Sequence, residues 1–183
     1  MSNSIREEKK LLRQQMASIT KKKSESYFNE KDLKVTNALL NHSKISNSAI
    51  VLSYWSMPKE AATHDLNQKL IKDKKVLLPV INGSVLNLKE FSGLDQMVQE
   101  PKFGIWEPKG DIFTEFDSID LVIVPGVAFT KNGLRCGHGK GYYDKLLPKL
   151  KNAYTIGLAY DFQQVDQLPI DDFDVKLNEV IFI

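Results

Sequence analysis

The chain has 183 residues and a formal net charge of +2, from 25 lysines and arginines against 23 aspartates and glutamates. That length suits one domain of ordinary size, and so small a net charge supplies no field able to hold a polyanion along the whole surface, which argues against nucleic-acid binding. Apolar residues at 42% and charged residues at 26% exclude a disordered or fibrous chain.

The N-terminal region lacks the apolar core of a secretory signal, and no apolar run approaches the ~20 residues that span a bilayer. The lone cysteine, Cys136, can close no intramolecular disulfide and offers no paired-cysteine metal spacing. These features lead to the expectation of a cytoplasmic, unprocessed protein without a membrane or nucleic-acid partner; a monomer is expected as well, although no feature of the sequence sets the oligomeric state.

Leu12, Met16 and Ile19 recur at helical spacing behind Arg6 to Lys10, so a first amphipathic helix is expected, with Lys9 and Arg13 on one face. A second helix is expected from about Ser24 to His42, burying Phe28, Val35 and Leu39, and residues 41–48 read as a polar turn. Ala49 to Ser53 is a short apolar strand. A loop through Trp55 and Glu60 follows, then a helix that Thr63 could cap ahead of Leu66, Leu70 and Ile71, and a strand from Lys75 to Val80. This strand-helix-strand unit has the length of a parallel crossover.

Asn82-Gly83 is a hairpin dipeptide, so Ser84 to Phe91 should return antiparallel and make the sheet mixed. Between Ser92 and Ser118 periodicity is poor, and Pro101, Gly104, Pro108 and Gly110 interrupt regular structure, so a long loop with one short helix is expected. Ile119 to Val124 reads as a strand buried on both faces, ending at Pro125-Gly126. A helix is expected from about Gly141 through Lys149, and Ala153 to Ala159 and Glu179 to Ile183 supply the last strands.

The most informative stretch is Arg135-Cys136-Gly137-His138-Gly139-Lys140-Gly141-Tyr142-Tyr143-Asp144. Three alternate glycines allow close approach of the backbone to a ligand, cations are interleaved with them, and a helix N-terminus would face the same place. Together these suit a phosphate. The spacing is neither that of a Walker A loop nor that of the dinucleotide fingerprint, and glycines after a strand also make plain turns. Asp144 is open to two readings, a carboxylate favouring a helix start or a ligand for Mg²⁺ beside phosphates.

Several blocks in chain order carry a resemblance to a known family. They are Lys9 to Arg13, Ser56-Met57-x-x-Glu60, Phe103-Gly104-Ile105-x-Glu107-Pro108, and Pro125-Gly126 with Phe129 and Gly133 leading into Arg135-x-Gly137-x-Gly139-x-Gly141-Tyr142-Tyr143-Asp144. The chain resembles the 5-formyltetrahydrofolate cyclo-ligase family, also called 5,10-methenyltetrahydrofolate synthetase. The resemblance implies an α/β fold, a three-layer α/β/α single domain around a mixed, largely parallel sheet, spanning residues 1–183 with N-terminal helices 4–43 packed on it. It also implies cyclisation of 5-formyltetrahydrofolate with ATP as co-substrate and Mg²⁺ as cofactor, on a reduced folate whose polyglutamylation is left open.

Residue by residue, the resemblance implies ATP contacts from Lys9, Lys10, Arg13, Arg135, Gly137, His138, Gly139, Lys140, Gly141, Tyr142 and Tyr143. Arg135, Lys140 and Tyr142 would serve catalysis, Trp55, Glu60 and Tyr142 the folate, and Asp144 and Asp174 the metal. Two other readings compete with it: a non-catalytic nucleotide- or RNA-binding protein, and a sugar-phosphate isomerase-type enzyme on a related scaffold.

Overall fold

The computed structural model describes residues 3–100 and 104–183; Pro101 and Phe103 of the sequence motifs lie outside the described residues. Helix α1 (Asn3–Lys22) and helix α2 (Glu25–Leu40) precede a short helix α3 (Ser43–Ser46). Then come strand β1 (Ile50–Leu52), helix α4 (His64–Leu70), strand β2 (Lys75–Asn82) and strand β3 (Val85–Phe91). Three short strands follow, β4 (Met97–Gln99), β5 (Trp106–Pro108) and β6 (Ile112–Phe113), and lead to strand β7 (Leu121–Val124). A small hairpin of β8 (Ala128–Phe129) and β9 (Arg135–Cys136), helix α5 (Tyr142–Leu146), and strands β10 (Tyr154–Ala159) and β11 (Glu179–Phe182) complete the order.

Seven strands form one sheet in the order β11-β10-β7-β1-β2-β3-β6. The five from β11 to β2 run parallel, and β3 and β6 are antiparallel additions at one edge. Period-two alternation sends Val51, Val76, Leu78, Leu121, Ile123, Ile156 and Leu158 to one face, where Phe28, Val35 and Leu39 of α2 and Leu66 and Leu70 of α4 meet them. Leu52, Leu77, Leu88, Val122 and Val124 point the other way, to Leu146, Leu147 and Leu150 at the end of α5. The architecture is a three-layer α/β/α arrangement around a mixed, largely parallel sheet. Helix α1 lies apart from both faces and packs Met16, with Leu12 and Ile19, against Ala128, Cys136 and Leu168.

Several local expectations change. The stretch 92–118 is more regular than its composition suggests: β4 and β5 pair antiparallel and β6 extends the main sheet. Two- and three-residue strands are too short for periodicity to reveal them. The polar turn at 41–48 contains α3, and the helix expected to reach Lys149 stops at Leu146 and tightens into a 3₁₀ turn over Leu147–Lys149. Pro148 explains the tightening, because it lacks the N–H that would continue the ladder. Thr63 occupies the N-cap position of α4 without capping it; its hydroxyl donates to the Tyr54 carbonyl at 2.5 Å. Ser24 does cap α2, accepting from the Tyr27 N–H at 3.2 Å.

Two glycines at positive φ separate close approach from simple turn geometry. At Gly133, φ is 94° and a Cβ would fall 2.3 Å from the Leu177 carbonyl oxygen. The Leu177 N–H donates to the Gly133 carbonyl at 2.9 Å, so the β8–β9 turn and the chain before β11 are held backbone to backbone. At Gly83, φ is 59° with nothing within 4 Å of the Cβ position. Gly133→Ala should therefore cost roughly 3 kcal/mol from strain and overlap, and Gly83→Ala only about 1 kcal/mol of backbone strain. Urea denaturation of the two variants checks this, and equal losses would contradict it.

Candidate active site

Strands β1 and β7 are neighbours and parallel, yet their chains leave in opposite directions. From β1 the chain runs through the loop 53–63 to α4 on one face, and from β7 through the glycine run to α5 on the other. A crevice at the carboxyl ends of such strands is where open α/β sheets bind ligands. A cavity of about 270 Å³ opens there, bounded by Tyr54 and Trp55 after β1 and by Pro125 after β7.

One wall is apolar. Pro79 and Ile81 of β2, Leu86 of β3, and Ile105 and Trp106 of the β4–β5 hairpin join Trp55 along it. The polar lining comes from Arg135, His138, Lys140 and Asp144 of the glycine run and from Glu60 of the β1 loop, which meets His138 between the two. A flat heterocycle and a polyanion could thus lie end to end, each against surface of its own chemistry.

Arg135 is the buried member of the cationic end, with 4% of its side chain exposed. Its guanidinium pairs with Asp144, donates to the Pro125 carbonyl at 3.4 Å, and lies 5.7 Å from the Tyr143 ring centroid. A Cβ on Gly137 would stand 2.5 Å from the same guanidinium, so glycine lets the chain fold over it. The Arg135 Nε and the Tyr143 hydroxyl are buried without a hydrogen-bond partner among the described residues, and both residues line the cavity. Burial, with Glu60 nearby, pushes the Tyr143 phenol far up, so it stays a neutral donor at any physiological pH.

Helix α1 reaches the glycine run from outside. Arg13 Nε donates to the Gly137 carbonyl at 2.7 Å, and its guanidinium lies against Gly139, whose φ is 98°. Lys9 is buried and paired with Asp174, whose carboxylate also accepts from the Asp171 N–H at 2.7 Å. Lys10 points elsewhere, exposed and 3.2 Å from Glu7. Lys140 is exposed at the cavity and makes no ion pair among the described residues.

On the opposite side, Glu60 belongs to a tight turn. Its N–H donates to the Met57 carbonyl at 3.0 Å, and its Oε2 accepts from the Met57 N–H at 2.9 Å. The closure holds Lys59 at a φ of 70°, a left-handed conformation that is costly for a residue with a side chain. Glu60 Oε1 lies 2.9 Å from His138 Nε2. Trp55 stacks on His64, with ring centroids 4.0 Å apart, and its ring lies 5.5 Å from that of Phe91, so the indole is held by two neighbouring rings while it lines the cavity. Tyr142 donates to the Gly83 carbonyl at 3.2 Å, linking the start of α5 to the β2–β3 turn.

The cavity collects Trp55, Glu60, Arg135, Gly137, His138, Lys140, Gly141, Tyr142, Tyr143 and Asp144 of the residues singled out in the sequence. Asp174 is not among its lining residues, and among the described residues no group of three or more His, Cys, Asp or Glu side chains is arranged to hold a metal ion. Glu107 carried no assigned role, yet it lines the cavity, accepts from the Ile81 N–H at 3.3 Å, and has its pKa raised by burial. Its position in the Gly104-Ile105-x-Glu107-Pro108 block was the available signal. The apolar wall from Pro79, Ile81 and Leu86 carried none, since strand residues of that kind read as core.

Residues 5–183 match the model of the 5-formyltetrahydrofolate cyclo-ligase family. The 5-formyltetrahydrofolate cyclo-ligase of Haemophilus influenzae is 34% identical over 154 residues, covering 80% of this chain and 82% of its own length. The protein of the same name from Mus musculus is 29% identical over 164 residues, covering 82% and 81%. Among solved structures, 5,10-methenyltetrahydrofolate synthetase from Aquifex aeolicus matches with a TM-score of 0.84 at 30% identity, covering 95% of this chain and 89% of that one. The family match spans both the β1 loop and the glycine run, and the chain belongs to the 5-formyltetrahydrofolate cyclo-ligase family.

Proposed function

We propose that the chain converts 5-formyltetrahydrofolate to 5,10-methenyltetrahydrofolate with ATP as co-substrate, releasing ADP and phosphate. The observation that carries this reading is the two-part cavity, an aromatic and aliphatic wall continuous with a cationic, glycine-lined end. The pterin would lie along the wall beside Trp55, with Glu60 accepting hydrogen bonds from its N–H groups. The triphosphate would lie on the glycine run, with Lys140 and Arg135 compensating its charge and Arg13 and Lys9 supporting the run from α1.

In this reaction the formyl oxygen attacks the γ-phosphorus and ADP departs. N10 then bonds to the formyl carbon and loses its proton, and the C–O bond breaks to release phosphate. Both reacting groups belong to ligands, so the protein contributes positioning and charge compensation instead of a nucleophile of its own. Phosphate oxygens would satisfy two buried donors of the cavity lining that lack partners among the described residues, Arg135 Nε and the Tyr143 hydroxyl.

Asp144 suits Mg²⁺, which takes one or two carboxylates beside phosphate oxygens and keeps several waters. The ion would neutralise phosphate charge during transfer. Asp174 does not fit as a second ligand in this arrangement, since Lys9 and the Asp171 N–H engage its carboxylate away from the cavity lining. The reading extends to a monomeric cytoplasmic enzyme whose folate carries one or more glutamyl residues. Among the described residues no helix is long and apolar enough to cross a membrane.

Purified protein supplied with 5-formyltetrahydrofolate, ATP and Mg²⁺ should release ADP and form the methenyl product, followed by its absorbance, in equal amounts. Folate-independent ADP release, or no product from folded protein, would sink the reading. Lys140→Ala should lower kcat/KM for ATP by about 10- to 100-fold, and Glu60→Ala should do the same for the folate, each being the loss of a charge-assisted hydrogen bond. Steady-state kinetics with each substrate varied separates the two, and unchanged constants in both variants would refute the assignment.

A further inference from the structure

Glu60 and His138 come from segments far apart in the chain, the β1 loop and the glycine run, and they meet at 2.9 Å on the cavity wall. Within its own turn, the Glu60 carboxylate is held through Oε2, by the Met57 N–H. That bond leaves Oε1 free to swing, and His138 Nε2 is the contact that aims it. Glu60 is the more buried partner, with 14% of its side chain exposed against 49% for His138, so the histidine reaches in from the rim to a carboxylate already partly desolvated. A hydrogen bond in that setting is stronger than one in open water.

The backbone that carries His138 is set from the phosphate side. Gly137 lies on the Arg135 guanidinium and accepts from Arg13, and Gly139, at positive φ, lies against the Arg13 guanidinium. An anion drawn to Arg135 and Lys140 would order this same run, and with it the imidazole. The carboxylate of Glu60 offers about four lone-pair sites. Met57 and His138 occupy two, and two remain for the N–H groups of a heterocycle. A ligand can therefore bind Glu60 without displacing His138.

Resting on the function proposed above, we infer that His138 is a positioning residue that links the two substrate sites. By orienting Glu60 from the phosphate-binding run, it makes nucleotide and folate each tighten the binding of the other. The coupling is reciprocal, and its size follows from how much of the ordering of Glu60 each ligand has already brought about.

The experiment is to measure the dissociation constant of 5-formyltetrahydrofolate with and without a non-hydrolysable ATP analogue and Mg²⁺. The proteins are the wild type, His138→Ala, and His138→Gln, whose amide can still donate to Glu60. In the wild type the analogue should tighten folate binding roughly tenfold. His138→Ala should lose most of that factor and raise the folate KM more than it lowers kcat, and His138→Gln should recover part of both. A wild type in which the analogue leaves folate affinity unchanged, or an alanine variant with the full wild-type factor, overturns the inference. Methenyl formation by the wild type separates the levels: no product sinks the functional reading and this inference with it, and product with coupling indifferent to His138 sinks the inference alone.

Discussion

Two adjacent parallel strands whose chains leave toward opposite faces of a sheet cannot have their ends covered by the helices that follow, and a crevice results. Here the strands are β1 and β7, and everything chemical in the molecule is arranged around that gap. The loop after β1 brings Trp55 and Glu60 to it, and the chain after β7 brings the glycine run. The antiparallel hairpin of β2 and β3 extends beyond the parallel part of the sheet and supplies an apolar wall, to which β5 adds Trp106. The edge strands that make the sheet mixed thus shape the binding surface.

Within that frame three basic side chains are each held by a carboxylate. Arg135 pairs with Asp144, Lys9 with Asp174, and His138 with Glu60. Buried ion pairs gain little net stability, because desolvation offsets attraction, but removing one partner strands the other. In this chain the pairs also determine where charge can go. A phosphate approaching Arg135 must share it with Asp144, so anion binding and the placement of Asp144 are linked. Lys140, exposed and without an ion pair among the described residues, is the cation a polyanion can engage with the least rearrangement.

Local signals in the sequence were strong where the physics is local. The apolar runs of β1, β2, β7 and β10, the Asn82-Gly83 turn and the buried stripe of α2 follow from alternation, from turn chemistry and from helical spacing. The α/β class follows from the order of those elements. They were weak where structure depends on partners distant in sequence: β4, β5 and β6 are strands because other strands lie beside them, not because of their own two or three residues. The early end of α5 is an intermediate case, legible in Pro148 but outweighed by the apolar residues around it.

The same division runs through the site. Glycines at 137, 139 and 141, with Arg135 before them and His138 and Lys140 between them, specify a backbone that can fold over basic side chains and meet an anion, and that much resides in the residue types themselves. Family membership, too, is legible in the order of the blocks. Only the tertiary structure decided that Glu60 and His138 touch, that Arg135 is buried against Asp144, that Lys9 is engaged with Asp174 while Lys10 faces solvent, and that Glu107 lines the cavity. The reason is distance along the chain. A residue's spacing constrains its neighbours within a turn or a strand, but which carboxylate meets which cation depends on how the sheet brings β1 and β7 side by side.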